Sequence, residues 1–320
     1  MSLHSLNTVT RGAALLVAGL LALPAWAGAP LAKTNAPGFH RFMLGDFEIT
    51  EISDGTIDLP VDQLLKESPQ KTRVALEKTF LKAPLETSVN AFLINTGKRL
   101  ILVDAGAGNL FGPTLGKLAS NIKASGYELE DVDDVLVTHM HPDHVGGLSI
   151  NGVVQFPNAT VHAAKQEADY WLSQQNLDNA QKDSKGFFQG AMASVNPYVK
   201  AKKLALFEGD VEVVPGVTSL ASPGHTVGHT SYVVRSQGQE LLLVGDLIHV
   251  PAVQLAHPEV TIAYDTDDAG AAASRAKVFT DAAKSGVLVG ASHMPFPGVG
   301  HLTPTGKSYQ WVPVNYTQLR

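Results

Sequence analysis

The run His139-Met140-His141-Pro142-Asp143-His144 follows, after Thr138, on the acidic-then-apolar stretch Asp133-Asp134-Val135-Leu136-Val137. It packs three His and one Asp into six residues of a chain that has only 12 His. Neutral imidazoles and carboxylates are the donors that a borderline divalent metal prefers. His139 and His141 are two apart, so on an extended segment both point the same way and can grip one cation. Pro142 favours an extended His141, and Asp143-His144 then opens a turn that can face a second cation. Gly146-Gly147 just beyond permits a close backbone approach.

Three further positions extend the pattern outward. His225 follows a Pro-Gly turn in Ser222-Pro223-Gly224-His225-Thr226-Val227-Gly228-His229-Thr230. His229 heads into the next strand and reads as a structural or outer-layer histidine. Asp246 ends the apolar strand Leu241–Gly245, and a carboxylate there has the two oxygens needed to bridge two cations. His293 follows the short apolar stretch Val287–Gly290. The alternative for the first run is a His-rich surface loop, which the ordered later partners argue against.

Around these motifs, strands are expected at Phe47–Ser53, Val89–Asn95, Arg99–Val103, Asp134–Thr138, Thr160–His162, Ser231–Arg235 and Glu240–Val244, from Val/Ile/Leu content and Gly/Asn/Asp boundaries. Asn95-Thr96-Gly97-Lys98 and Ser236-Gln237-Gly238-Gln239 read as hairpin turns. Helical periodicity marks Leu115–Ala124, Ala163–Gln174, Phe187–Lys200 and Gly270–Lys284, the last with Asp267 or Asp268 as cap. The alternation of strands and helices predicts a mixed α/β chain with sheets covered by helices.

The ends and the composition set the compartment and exclude some partners. Arg11, the apolar stretch Gly12–Leu23, Pro24 and the small-x-small site Ala25-Trp26-Ala27 read as a signal peptide cleaved after Ala27, predicting an exported, periplasmic or secreted protein. Residues 28–38 read as a Pro/Ala/Gly-rich linker and residues 39–320 as one domain. No later stretch is apolar enough for a membrane span. Removal of residues 1–27 leaves 23 basic against 30 acidic side chains, a net of −7, so nucleic acid is a poor partner. With no Cys, thiolate metal sites and Cys nucleophiles are excluded.

In combination, HxHxDH, a Gly-His-Thr block, Gly-Asp and a late His after a strand resemble the metallo-β-lactamase superfamily over nearly the whole mature chain. The resemblance implies a four-layer αββα sandwich and two divalent metals. Zinc is the first candidate and manganese, cobalt or iron the alternatives. It also implies that His139, His141 and His225 hold one metal, that Asp143, His144 and His293 hold the other, and that Asp246 is shared. Asp104, in Val103-Asp104-Ala105-Gly106, matches the family's early Asp-Gly turn, implying that it orients a ligand histidine; a turn-stabilising Asp is the alternative. Cys-containing β-lactamases are excluded, and the His-only type lacks a bridging acid.

Within the superfamily, Thr138–Leu148, Gly245–His249, His293–His301 and Tyr309–Val314 resemble the methyl parathion hydrolase subgroup. Its members hydrolyse phosphotriesters, and relatives act on aryl esters and lactones. The implied chemistry uses two cations to lower the pKa of a shared water, with Asp246 and Asp143 as the catalytic carboxylates. Phe111, Trp171, Phe187 and Phe188 flank the ligand-bearing loops and could form an aromatic pocket, with Trp171 and Phe188 favoured and His249 as a further lining residue. Substrates in this reading are small esters, lactones or organophosphates, and an exposed apolar segment could support a homodimer. The alternatives are a glyoxalase II-like glutathione thioester hydrolase and a non-catalytic binding or sensor protein.

Overall fold

Leu100-Ile101-Leu102-Val103 is apolar at every position because both of its faces are covered. Leu100 and Leu102 join a cluster with the helical residues Leu118, Ile122, Ala168 and Val195, while Ile101 and Val103 join one with Val217, Val234 and Leu243 of another sheet. Successive strand side chains point to opposite faces, so this strand lies between a helical layer and a second sheet. The same division recurs at Leu241 and Leu243, which face the first sheet, and Leu242 and Val244, which meet Val278, Phe279 and Ala282 of the helix Asp268–Ser285. These contacts make the expected αββα sandwich.

The computed structural model describes Ala29 and residues 31–319, so the expected signal peptide and its cleavage site lie outside the described residues. Within the unit Pro37–Arg320, the first sheet contains β1 (Phe39–Leu44), β2 (Phe47–Leu59), β3 (Leu85–Asn95), β4 (Leu100–Val103) and β5 (Asp134–Leu136). A small hairpin, β6 (Ser149–Ile150) and β7 (Val153–Val154), precedes β8 (Thr160–Ala164) and β9 (Leu204–Phe207). The order is β1-β2-β3-β4-β5-β8-β9. The second sheet runs in sequence order through β10 (Glu212–Val214), β11 (Val217–Ala221), β12 (Thr230–Ser236), β13 (Gln239–Leu243), β14 (Leu288–Gly290), β15 (Val299–Thr305) and β16 (Ser308–Pro313). Parallel pairing of β4 with β5 and of β13 with β14 sends their carboxyl ends the same way within each sheet.

Several expected boundaries move. The strand expected to end at Ser53 continues to Leu59 through a bulge at Ser53/Gly55, because Asp54 turns inward to accept N–H groups from Ala107, Gly116 and Leu118. The strand expected to reach Thr138 ends at Leu136, where the ligand-bearing loop begins. The helix expected over Ala163–Gln174 is two: Ala163 and Ala164 finish β8, Lys165–Trp171 is helical, and Ser173 caps a new helix, Gln174–Asn179. The helix expected from Leu115 starts at Leu118, and Phe187–Lys200 extends back to Lys185. Asp267 stands at the cap position of the last helix but makes no side-chain cap bond. Both hairpin turns form, Gln237 and Gly238 each taking positive φ (48° and 76°) between β12 and β13.

Candidate metal centre

The centre is assembled where the carboxyl ends of β5, β13 and β14 meet the β11–β12 turn. Asp104 leaves β4 in a left-handed conformation, φ 60°, which is uncommon for a residue with a side chain. That turn aims its carboxylate across the next loop: Oδ1 accepts from Thr138 N at 2.8 Å, while Oδ2 accepts from Thr138 Oγ1 and His144 Nδ1, both at 2.8 Å. Behind this loop Gly147 N donates to Gly106 O at 2.9 Å, and a Cβ on Gly147 would stand 1.9 Å from Ala105 O. The glycine pair is therefore required for the loop to seat.

Asp246 lies at the middle, 2% exposed. Its Oδ2 is 3.1 Å from His293 Nε2, 3.4 Å from His225 Nε2 and 3.6 Å from His139 Nε2, and its Oδ1 is 3.2 Å from His144 Nε2. Donor atoms of His139, His141, His225 and Asp246 lie within 4.8 Å of one another, as do those of Asp143, His144 and His293. All seven residues expected from the sequence thus converge, in the two groups that the resemblance implies.

The imidazoles are held from behind. His144 donates to Asp104, His225 Nδ1 to Asp265 Oδ1 at 2.7 Å, and His293 Nδ1 to the Ser88 carbonyl at 2.9 Å; His139 Nδ1 is 3.1 Å from Thr138 Oγ1. These bonds leave the Nε2 lone pairs of all four rings turned toward Asp246. His139 Nε2, His144 Nε2 and Asp246 Oδ1 are buried without any hydrogen-bond partner. His141 Nδ1 and His225 Nε2 face each other at 3.1 Å. Buried acceptors crowded together at this spacing are costly unless cations lie among them, so the donor set fits divalent metals.

Protonation of the metal-free cluster follows its charges. Burial works to raise the pKa of Asp246, but His144, His293, His139 and His249 hold it well below the usual carboxylate range. Burial pushes His139 and His141 well down. His225 goes the other way: against its burial, Asp246 and Asp265 lift it to about 9. His144 and His293 are also raised, each by neighbouring carboxylates that overcome burial. A dication entering the cluster takes over the role of those protons.

Of the remaining expected residues, His229 lies beneath the centre: Nδ1 bonds the Ser222 carbonyl at 3.1 Å and Nε2 accepts from Asp246 N at 3.1 Å. His249 sits against the cluster rather than in a pocket wall, with Nε2 3.1 Å from Asp246 Oδ2 and its ring stacked on His293 at 5.0 Å. Its Nδ1 is buried and unpartnered. Trp171 and Phe188, 3% and 2% exposed with rings packed at 4.6 Å, are largely buried, yet both line the larger of the two clefts beside the centre, together with His141. Half-buried Phe187 is the aromatic nearest His141, at 4.8 Å, against 5.2 Å for Trp171. It separates two clefts. One, about 460 Å³, is lined by Leu110, Phe111, Pro142, Gly190 and Ala193; the other, about 670 Å³, includes Tyr170, Asn176, Gln181 and Tyr264. Asp265, Ser88 and Tyr264 are site residues that the sequence reading missed.

The superfamily described as metallo-beta-lactamase has a sequence model that matches residues 85–293. An N-acyl homoserine lactonase of Bacillus cereus is 29% identical over 179 residues, covering 50% of this chain and 63% of that enzyme, which is less than two thirds of its length. Among solved structures, the hydrolase AbOPH of the beta-lactamase superfamily is 37% identical with a TM-score of 0.84, covering 89% of this chain and all of that one. AidC, a dizinc quorum-quenching lactonase solved with a homoserine product, is 26% identical with a TM-score of 0.81 over 88% of this chain and 99% of its own.

Proposed function

Because the chain belongs to the metallo-β-lactamase superfamily, we propose that it is a binuclear metal-dependent hydrolase of neutral esters, lactones foremost, with aryl esters and phosphotriesters as further substrates. The observation that carries this reading is the closure of six donor residues around a seventh, Asp246, four of the imidazoles being hydrogen-bonded from behind. In this reading His139, His141 and His225 hold one cation, Asp143, His144 and His293 hold the other, and Asp246 serves both. Zinc is the first candidate, in line with the dizinc description of AidC.

Two such cations would supply Lewis acidity and a water of lowered pKa. The chain's own groups do the rest. Asp104, Asp265 and the Ser88 carbonyl fix the tautomer and direction of the ligand rings, which is how such outer partners raise ligand basicity. Asp246 and Asp143 add the negative charge that balances the cations and can take up a proton from water. His249, buried against Asp246 and stacked on His293, packs the cluster from the side of the second group. The overall change is addition of one water across the ester or lactone bond, giving an acid and an alcohol.

Cleft chemistry supports an uncharged substrate. Phe187, Phe111 and Leu110 offer apolar surface beside the centre, and apart from the ligand His141 the sole basic side chain lining either cleft among the described residues is Lys66, already paired with Asp268 at 2.7 Å. A glutathione thioester, which carries two carboxylates, is therefore the weaker reading. The segment before Ala27 supports export in the same proposal. Metal-loaded protein assayed on an acyl-homoserine lactone, dihydrocoumarin, phenyl acetate, methyl paraoxon and a glutathione thioester tests the function. Turnover should be greatest on the lactones; two bound metals with no turnover of any ester would sink it.

A further inference from the structure

Behind two of the ligand-bearing loops lies a carboxylate that the chemistry above does not use. Glu167 occupies the first turn of the helix Lys165–Trp171, next to exposed Gln166, yet it is 1% exposed. Among the described residues no basic side chain pairs with it. Its two oxygens accept from two backbone N–H groups instead: Oε1 from Met140 N and Oε2 from Gly228 N, both at 2.8 Å. Met140 stands between His139 and His141. Gly228 stands three residues after His225 and directly before His229, the residue that accepts from Asp246 N.

One side chain therefore spans two loops that come from different sheets and carry three histidines of one metal group. The packing is close enough to demand glycine on one side. A Cβ on Gly228 would stand 2.5 Å from Glu167 N and 2.8 Å from Glu167 Cβ. Both N–H groups are buried and have this carboxylate as acceptor, so its removal leaves them unsatisfied and frees the loops to separate.

We propose that Glu167 is a positioning residue that fixes the His139–His141 segment against the His225 segment, setting the spacing of the three imidazoles for their metal. The proposal rests on the metal-centre reading above. It assigns Glu167 no contact with metal or substrate.

Glu167→Gln keeps size and shape but can accept at only one end; its amide then opposes the other backbone N–H with a donor. Zinc titration of the full chain against a chromophoric chelator should show two sites in the wild type. In the Gln variant the site weakened should be the one held by His139, His141 and His225, by about 10–100-fold, the range seen when outer partners of metal ligands are removed. By linkage, the rise in thermal midpoint on zinc loading should shrink in the variant. Gly228→Ala, which pushes the same contact apart from the other side, should weaken the same site, and Glu167→Asp, which keeps both acceptors, should recover part of the affinity.

Equal lowering of the metal-free and metal-loaded midpoints with unchanged zinc affinity would make Glu167 a plain structural residue and overturn the proposal. Equal weakening of both sites would overturn it too. Wild-type protein that binds no zinc would instead sink the metal-centre reading, and the role of Glu167 with it.

Discussion

On the floor of the site the five clustered imidazoles and Asp246 are at most 5% exposed, and four of the rings have a partner on their outer nitrogen. A few ångströms away, in the clefts, Phe187 is half-buried, Phe111 is 37% exposed, and neither is held by any directional bond. The floor can thus hold a fixed geometry for charge, whereas the clefts offer surface without fixed direction. In the proposed reading, chemistry belongs to the first and substrate choice to the second.

Substitutions should separate the two regions, beginning where the effect is largest. Asp246→Ala removes the carboxylate proposed to serve both cations. Turnover should vanish and metal content fall at both sites, and full activity with two metals bound would refute the shared role. Asp265→Ala and Asp104→Ala should each cost about 10–100-fold in zinc affinity, but at opposite sites, because one holds His225 and the other His144. Chelator titrations that found the same site weakened by both would erase the division into two groups.

Phe187→Ala tests the clefts. Loss of roughly 1 kcal/mol of apolar contact should raise KM about fivefold and leave zinc content and kcat nearly unchanged; a loss of metal would mean that floor and cleft are one unit. The smallest effect concerns protons. His225 is protonated in the metal-free protein below about 9, and a ligand imidazole must be neutral, so zinc uptake at pH 7.5 should release its proton. Apparent affinity should accordingly fall as pH is lowered from about 9. Calorimetry in buffers of different ionisation enthalpy reads the sum of protons from His225, His144 and His293, and Asp265→Asn should reduce it by removing one of the two carboxylates that raise His225.

The same contrast governs what could be read without coordinates. His139, His141, Asp143, His144, His225, Asp246 and His293 are visible because metal donors are few in kind and the first four are crowded into six residues. Their supports are harder to see. Asp265 is one of three acids in Asp265-Thr266-Asp267-Asp268, the Ser88 contribution is a backbone carbonyl that any residue would carry, and Glu167 sits in a polar helix start. For the fold, the doubly covered strand Leu100–Val103 announces itself, but β1, β9, β10, β11, β15 and β16, all edge or near-edge strands, went unpredicted. Asp54-Gly55 has the composition of a turn and is a bulge, a difference decided by the distant N–H groups that Asp54 accepts. Aromatic residues near the ligands gave no indication of which would be core, since Phe187 and Phe188 differ only in the side of one helix they occupy.

His293 hangs from the Ser88 carbonyl of the first sheet while its own loop leaves β14 of the second. The site therefore exists only after a strand from each half of the chain has found the other, some 200 residues apart in sequence. The HMHPDH run alone supplies four of the seven donors, too few to retain two cations. Metal is then a late passenger of folding rather than its nucleus: protein refolded in a chelator should regain its secondary structure in full, and added zinc should restore turnover without a further folding phase.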